Sequence, residues 1–414
     1  MSLAENVDFL SFLPKPGDWP IYGRGLRGDV QTPLTEMRGF GSNPGNLRMF
    51  AFVPAKLQQP RALVVVLHGC GQTAASYDLG AGWSTLAKHY GFALLLPQQQ
   101  PSNNPNGCFN WFNKDDITRE RGEACSIRQM VTRMARDYAI DTRRVFVTGL
   151  SAGGAMASVM LATYPDVFAA GAIIAGLPFG VAGNVREALS AMRTGSGRSA
   201  SALGDLVRNA SRHRGLWPKV SVWQGSADRT VNPANADEIV RQWLDVHDLP
   251  DAPMSGNVVD GHPHQVWWNA DGQTVVESYT IADMAHGTPL GRGQDDKRYG
   301  KQGAFLLEAG ISSSYHIAKF FGLTRWIRDP KPVAADSPSA RLIPPVSPIS
   351  VVAKPDLTSA LRPLVSSERP SEPKSVVGVE VEAEPQSLPK KRRRIVGDIG
   401  AALDRVLGAA GLKK

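Results

Sequence analysis

Val145-Phe-Val-Thr-Gly149-Leu-Ser151-Ala-Gly153-Gly154 opens with β-favouring residues and ends in small ones. The apolar opening reads as a buried strand over Arg144–Thr148. The residues after the serine read as a helix over Ala152–Thr163. Between them lies G-x-S-x-G. A strand that turns directly into a helix needs a tight turn, and Gly149 and Gly153 leave room for neighbouring backbone there. The Ser151 hydroxyl then projects above the sheet edge. The first helical N–H groups point at the same place, so Ala152 N–H can stabilise an oxyanion. The short motif is common by chance. The strand before it and the helix after it favour a nucleophile turn.

Outward from this turn the pattern alternates. Strands are expected at Leu47–Val53, Leu63–Leu67, Phe92–Leu96 (stopped by Pro97), Ala170–Ala175 and Val220–Gln224. Helices are expected at Ser76–Tyr90, Ala124–Tyr138 and Ala234–Val246, and a last one over much of Ala304–Phe321. Gln265–Trp268 and Thr274–Ile281 flank Asp271-Gly272, a hairpin signal. Short apolar strands alternating with helices imply a mainly parallel sheet with helices on both faces.

A serine hydroxyl is a weak nucleophile until a base takes its proton. Where a serine sits on such a turn, an acid follows a later strand and a histidine comes near the end of the domain. Val220-Ser-Val-Trp-Gln-Gly225-Ser-Ala-Asp228 supplies a strand, a glycine and a carboxylate. Asp228 can also be read as an ordinary turn or capping residue before Val231-Asn-Pro233. His286, in Asp283-Met-Ala-His286-Gly-Thr-Pro, follows the strand ending at Ile281, in the loop position a base needs. His247 and His316 fall on expected helices, and His262 and His264 precede a strand. The order Ser151, Asp228, His286 indicates an α/β-hydrolase fold with this trio as nucleophile, acid and base. His68-Gly69-Cys70-Gly71 follows the first strong parallel strand. There the Cys70 N–H is the candidate second oxyanion donor, and His68 a residue that fixes the loop.

Leu67-His-Gly-Cys-Gly-Gln-Thr-Ala-Ala75, Cys108-Phe-Asn-Trp-Phe112, Gly122-Glu-Ala124, Gly149-Leu-Ser-Ala-Gly-Gly154 and Ala285-His-Gly-Thr-Pro289 together resemble the poly(3-hydroxybutyrate) depolymerase family of esterases, over roughly residues 35–325. The resemblance implies Ser151, Asp228 and His286 as triad and Cys70 and Ala152 as oxyanion donors. It also implies that Trp111 lines the ester cleft, against the alternative of a core aromatic. The expected substrate is a hydroxyalkanoate ester, oligomer or polymer, with feruloyl or acetylated-sugar esters as the alternative. No metal or organic cofactor is called for. The rival from another class is a non-catalytic binding module anchored by its tail.

That tail sets the organisation: a 1–34 extension, a catalytic domain over 35–329 and a Pro-rich basic segment over 330–414. Residues 330–414 hold 12 of the 30 prolines, no Phe, Trp or Tyr, and 14 basic against 9 acidic side chains. Such a segment cannot bury enough apolar surface to offset its ordering entropy, so most of it is expected to be disordered. Lys390, Lys391, Arg392, Arg393 and Arg394 form a basic cluster. Ile399, Leu403, Val406, Leu407 and Ala410 then fall at helical spacing within 398–411, with Asp398 as cap. The pair suggests contact with an anionic surface or polymer granule; no nucleic acid is expected. Three cysteines, Cys70, Cys108 and Cys125, argue against a disulfide framework. Free thiols are the expectation, with Cys108–Cys125 the pair to form if the chain is exported. The start Met1-Ser-Leu-Ala-Glu-Asn-Val-Asp lacks a secretory pattern, so a cytoplasmic location is expected. The extracellular alternative follows from the resemblance.

Overall fold

The computed structural model describes residues 32–291 and 299–324. The N-terminal extension up to residue 31 and the basic tail, including Lys390–Arg394 and the helix expected over 398–411, lie outside the described residues.

Twelve strands and nine helices follow one another among the described residues. They are β1 (Thr35–Met37), β2 (Arg48–Phe52), β3 (Leu63–Leu67), α1 (Ala74–Ala81), α2 (Trp83–Tyr90), β4 (Ala93–Gln98), α3 (Lys114–Ile117), α4 (Gly122–Tyr138), β5 (Val145–Leu150), α5 (Ala152–Thr163) and β6 (Ala170–Ile174). Then come α6 (Val185–Thr194), α7 (Ala200–Arg208), β7 (Lys219–Gly225), α8 (Ala234–Val246), β8 (Ser255–Val259), β9 (His262–Trp268), β10 (Thr274–Ile281), β11 (Thr288–Leu290), β12 (Leu306–Glu308) and α9 (Ser313–Phe320). Ten strands form one sheet in the order β1-β2-β4-β3-β5-β6-β7-β10-β9-β8. From β4 to β10 the neighbours run parallel, and the two flanks are antiparallel.

The centre is apolar on both faces, which is why its strands read as continuous hydrophobic runs. In β3, Leu63, Val65 and Leu67 enter the core beneath α4–α8, while Val64 and Val66 face the core beneath α1, α2 and α9. In β5, Val145 and Val147 take the first side and Phe146 the second. This is the mainly parallel sheet, covered on both faces, that the sequence implies.

Four of the expected elements take another form. The helix expected over Ser76–Tyr90 is two helices. Thr73 and Ser76 make a reciprocal capping box that starts α1, and Gly82, at φ +77°, ends it. A side chain there has no room, because a Cβ on Gly82 would lie 2.3 Å from Gly300 N. Strand β4 runs through Pro97 to Gln98. Its pairing with β3 ends at Leu95, before the proline, and it continues against β2. His262 and His264 lie within β9 rather than before a strand. The last helix begins only at Ser313, capped by the Ser312 side chain after Gly310 at φ +79°. The segment ahead of it forms β12, which pairs with β11.

The cysteine reading is corrected as well. Cys70 is disulfide-bonded to Cys108, and Cys125 is free. The reason is local. The loop after β3 and the loop after β4 emerge side by side, and Gly71 N–H donates to Asn106 O at 2.9 Å. Cys125 sits instead on α4, where its sulfur accepts from Gln129 Nε2.

Candidate active site

Ser151 occupies the turn between β5 and α5 with φ +56° and ψ −118°. A non-glycine residue in that region is strained, and surrounding structure has to hold it. Its N–H donates to Ile174 O of β6 at 2.9 Å, and its carbonyl accepts Ala155 N–H at 2.8 Å. The two motif glycines are required by contact. A Cβ on Gly149 would meet Gly153 O at 2.3 Å. A Cβ on Gly153 would meet Leu67 O at 2.3 Å and His68 O at 2.5 Å. The second approach presses the first turn of α5 against the end of β3. Cys70 and Ala152, the expected oxyanion donors, therefore start from adjoining strand ends, since Leu67 and Gly149 are register partners.

The expected acid and base, Asp228 and His286, follow β7 and β10, which pair in parallel up to Ile281 and Gly225. A Cβ on Gly225 would lie 2.2 Å from Met284 O, so only glycine lets the base loop fold onto the acid loop. Ser226 N–H to Ile281 O at 3.0 Å and Ala227 N–H to Met284 O at 3.1 Å tie the two together. The His286 Nδ1–H donates to Asp228 Oδ2 at 2.7 Å, with both side chains buried. Asp228 Oδ1 accepts Thr230 N–H at 2.8 Å and Val231 N–H at 2.9 Å, and Gln224 Nε2 donates to Oδ2 at 3.0 Å. A carboxylate with four N–H donors is fixed in orientation, and it fixes the imidazole with Nε2 as the free nitrogen.

The rival histidines are committed elsewhere: His247 to Pro218 O, His262 to Ala309 O, His264 to Glu277 and His316 to Asp260. The structure thus brings Asp228 and His286 together. It joins the Ser151 hydroxyl to neither by a hydrogen bond. Such bonds are often long before substrate arrives.

Trp111 is 6% exposed and belongs to the core that also holds Phe109 and Ile117, with its ring edge-on to Phe112 at 5.5 Å. That burial favours the core-aromatic alternative. Phe305, which the sequence reading placed in a helix, stands edge-on to His286 at 5.8 Å between ring centres, with φ +59°. Its carbonyl accepts Thr288 N–H at 2.8 Å. No sequence pattern marked it, because a strained aromatic in a loop has no periodicity to betray it.

The family model described as Esterase PHB depolymerase matches residues 49–261. The chain is also 48% identical over 291 residues to a poly(3-hydroxyalkanoate) depolymerase C from Paucimonas lemoignei, covering 70% of each protein. The chain belongs to the Esterase PHB depolymerase family. This esterase is also 34% identical to an acetylxylan esterase from Coprinopsis cinerea, over 62% of the chain and 69% of that protein. It is 34% identical to a feruloyl esterase B from Neurospora crassa, over 62% of the chain and 88% of that protein. A solved acetyl xylan esterase from Aspergillus awamori superposes with a TM-score of 0.59 at 24% identity, over 70% of this chain and 99% of that one; it shares the fold. The esterase is a hydrolase of carboxylic esters on the α/β-hydrolase scaffold.

Proposed function

We propose that the esterase cleaves short-chain 3-hydroxyalkanoate esters through an acyl-enzyme on Ser151. The observation that carries this is the 2.7 Å His286–Asp228 bond, in a chain 48% identical to a poly(3-hydroxyalkanoate) depolymerase. Ser151 Oγ attacks the ester carbonyl while His286 Nε2 takes its proton, and Asp228 holds the resulting imidazolium. The carbonyl oxygen becomes an oxyanion that accepts from the Cys70 and Ala152 N–H groups. The C–O bond to the alcohol then breaks, and His286 returns the proton to the departing oxygen. Water attacks the acyl-enzyme by the same route, releasing the acid and restoring Ser151. Trp111, being buried in the core, is given no contact with substrate in this reading.

Similarity to acetylxylan and feruloyl esterases supports a second reading, with acetylated or feruloylated sugars as substrate. A panel of hydroxybutyrate oligomers, short nitrophenyl esters and feruloyl esters separates the two. The first reading expects the highest kcat/KM on the oligomers; a preference for the feruloyl ester by tenfold or more overturns it.

The Cys70–Cys108 bond favours an oxidising location, since disulfides persist there and are rare in reducing compartments. We therefore favour the extracellular alternative over the cytoplasmic one. Among the described residues no helix is long and apolar enough to cross a membrane. For Lys390–Arg394 we keep the proposal of contact with an anionic surface or granule. Co-sedimentation that weakens with salt supports it, and equal pelleting after removal of 330–414 overturns it.

A further inference from the structure

Glu123 is 1% exposed, in the first turn of α4, and takes no part in the reaction above. Its Oε1 accepts Gln99 Nε2–H at 2.6 Å and Asn110 Nδ2–H at 2.8 Å, and its Oε2 accepts Asn110 N–H at 2.9 Å. Its backbone is hemmed in too, because a Cβ on Gly45 would lie 2.5 Å from Glu123 Cα. Burial pushes the carboxyl up to about 8, helped by the charge of Asp116. A buried acid of this kind costs folding free energy unless its donors recover it, so an apolar residue would be the cheaper filler.

The two residues that hold Glu123 lead to one place. Gln99 N–H donates to His68 Nε2 at 3.1 Å, so the other ring nitrogen carries the proton, and His68 Nδ1–H donates to Gly69 O at 2.8 Å. In a trans peptide the C=O and the following N–H point in opposite directions. Fixing Gly69 O therefore fixes the direction of the Cys70 N–H. The second path is covalent. Gln99 Nε2 also donates to Cys108 O at 3.0 Å, Asn110 N–H anchors the chain two residues on, and Cys108 is bonded to Cys70.

We infer that Glu123 is a positioning residue for the oxyanion site, orienting the Cys70 N–H by a hydrogen-bonded route through Gln99 and His68 and a covalent route through Cys108. The inference rests on the reading of Cys70 N–H as an oxyanion donor. A bare loop of glycines and a cysteine would let that N–H swing. Two tethers to one buried carboxyl group restrain both the rotation of the peptide and the drift of the loop. The role differs from simple packing: it acts on the tetrahedral state, where the oxyanion forms, and hardly on the bound ester.

The test uses the full chain with a short nitrophenyl ester and a boronic acid, whose tetrahedral adduct on serine mimics the charged state. The variants are Glu123→Gln, Cys108→Ser and the two combined. Glutamine cannot accept at both ends, so it turns an N–H toward the Asn110 or Gln99 donors. Each single change is expected to lower kcat several-fold and weaken boronate binding alike, with KM within about twofold. The pair is expected to lower kcat by about 10²–10³, the usual cost of losing one oxyanion donor, and by more than the product of the singles. Where Glu123→Gln does not fold, Asn110→Ala, which removes one donor, takes its place. Unchanged kcat and boronate affinity with a lowered Tm would reduce Glu123 to a structural role. A raised KM at constant kcat would overturn the inference as well. The proposed function, with Ser151 as nucleophile, fails differently: wild-type protein would then resist a fluorophosphonate.

Discussion

The two halves of the site are held in unlike ways. On the acid–base side, main chain does the holding: β7 and β10 stay in register to Gly225 and Ile281, and Gly225 lets Met284 O approach where no Cβ fits. On the oxyanion side, side chains do it, through Glu123, Gln99, His68 and the Cys70–Cys108 bond. A base must turn its ring toward substrate from a firm loop, and a register of backbone bonds supplies that. An oxyanion donor is itself backbone, and its loop after β3 has no strand beside it to continue the ladder. Side chains and a covalent bond take the place of the missing partner.

The largest effects should fall on the proposed reacting groups and the acid that orients the base. Ser151→Ala or His286→Ala is expected to cut turnover by about 10⁵–10⁶ while leaving the fold intact, checked by steady-state rates beside circular dichroism. Asp228→Asn should cost about 10⁴ in kcat, because the amide favours the wrong imidazole tautomer. Near-wild-type turnover in that variant would detach Asp228 from the base and undo the comparison on its acid–base side.

Glycine changes sharpen the contrast at a smaller scale. Gly153→Ala places a Cβ 2.3 Å from Leu67 O, backbone that cannot turn aside. A loss of about 1–3 kcal/mol in urea unfolding is expected, with activity falling alongside. Gly272→Ala, at φ +74° in the β9–β10 hairpin with no atom within 4 Å of the added carbon, should cost about 1 kcal/mol and leave kcat unchanged.

A pair of acid titrations, with and without His68, reports on the oxyanion side. Burial lowers His68 from 6.5 to about 4. Its folded value lies below the unfolded one, so the neutral ring stabilises the fold fully above pH 6.5. That contribution is lost as the pH falls from there to about 4, a change on the order of 3 kcal/mol. Glu123 and Asp78, pushed up by burial, titrate in the same window with the opposite sign, so the readout is the difference: urea midpoints should lose more between pH 6.5 and 4 in the wild type than in His68→Gln. An equal loss in both would mean that His68 does not stay neutral when folded.

The same contrast explains what was legible in the sequence. Gly149, Ser151, Gly153, Gly225 and the order of Asp228 and His286 were readable because backbone demands leave glycines and loop positions in fixed places. The central strands were readable because both of their faces are buried. Glu123 stands within Gly122-Glu-Ala124, but neither its role nor that of Gln99 was readable, since a hydrogen-bond network between residues 24 apart in sequence has no period and no spacing rule. The Cys70–Cys108 pairing escaped for a related reason: it depends on two loops emerging side by side. The break at Gly82 and the late start of α9 at Ser313 turn on a left-handed glycine and a serine cap inside otherwise helical runs. The sequence leaves Trp111 between cleft and core, because no local motif states that it joins the core with Phe109 and Ile117.

In the proposed reaction Ser151 carries the acyl group. Rapid acid quench during turnover of a slow ester, followed by peptide mass mapping, tests it most directly. The account predicts one acyl adduct, on the peptide containing Ser151, absent in Ser151→Ala and accumulating in a burst before steady state. An adduct on Cys125, or steady turnover with no adduct at any residue, would contradict it.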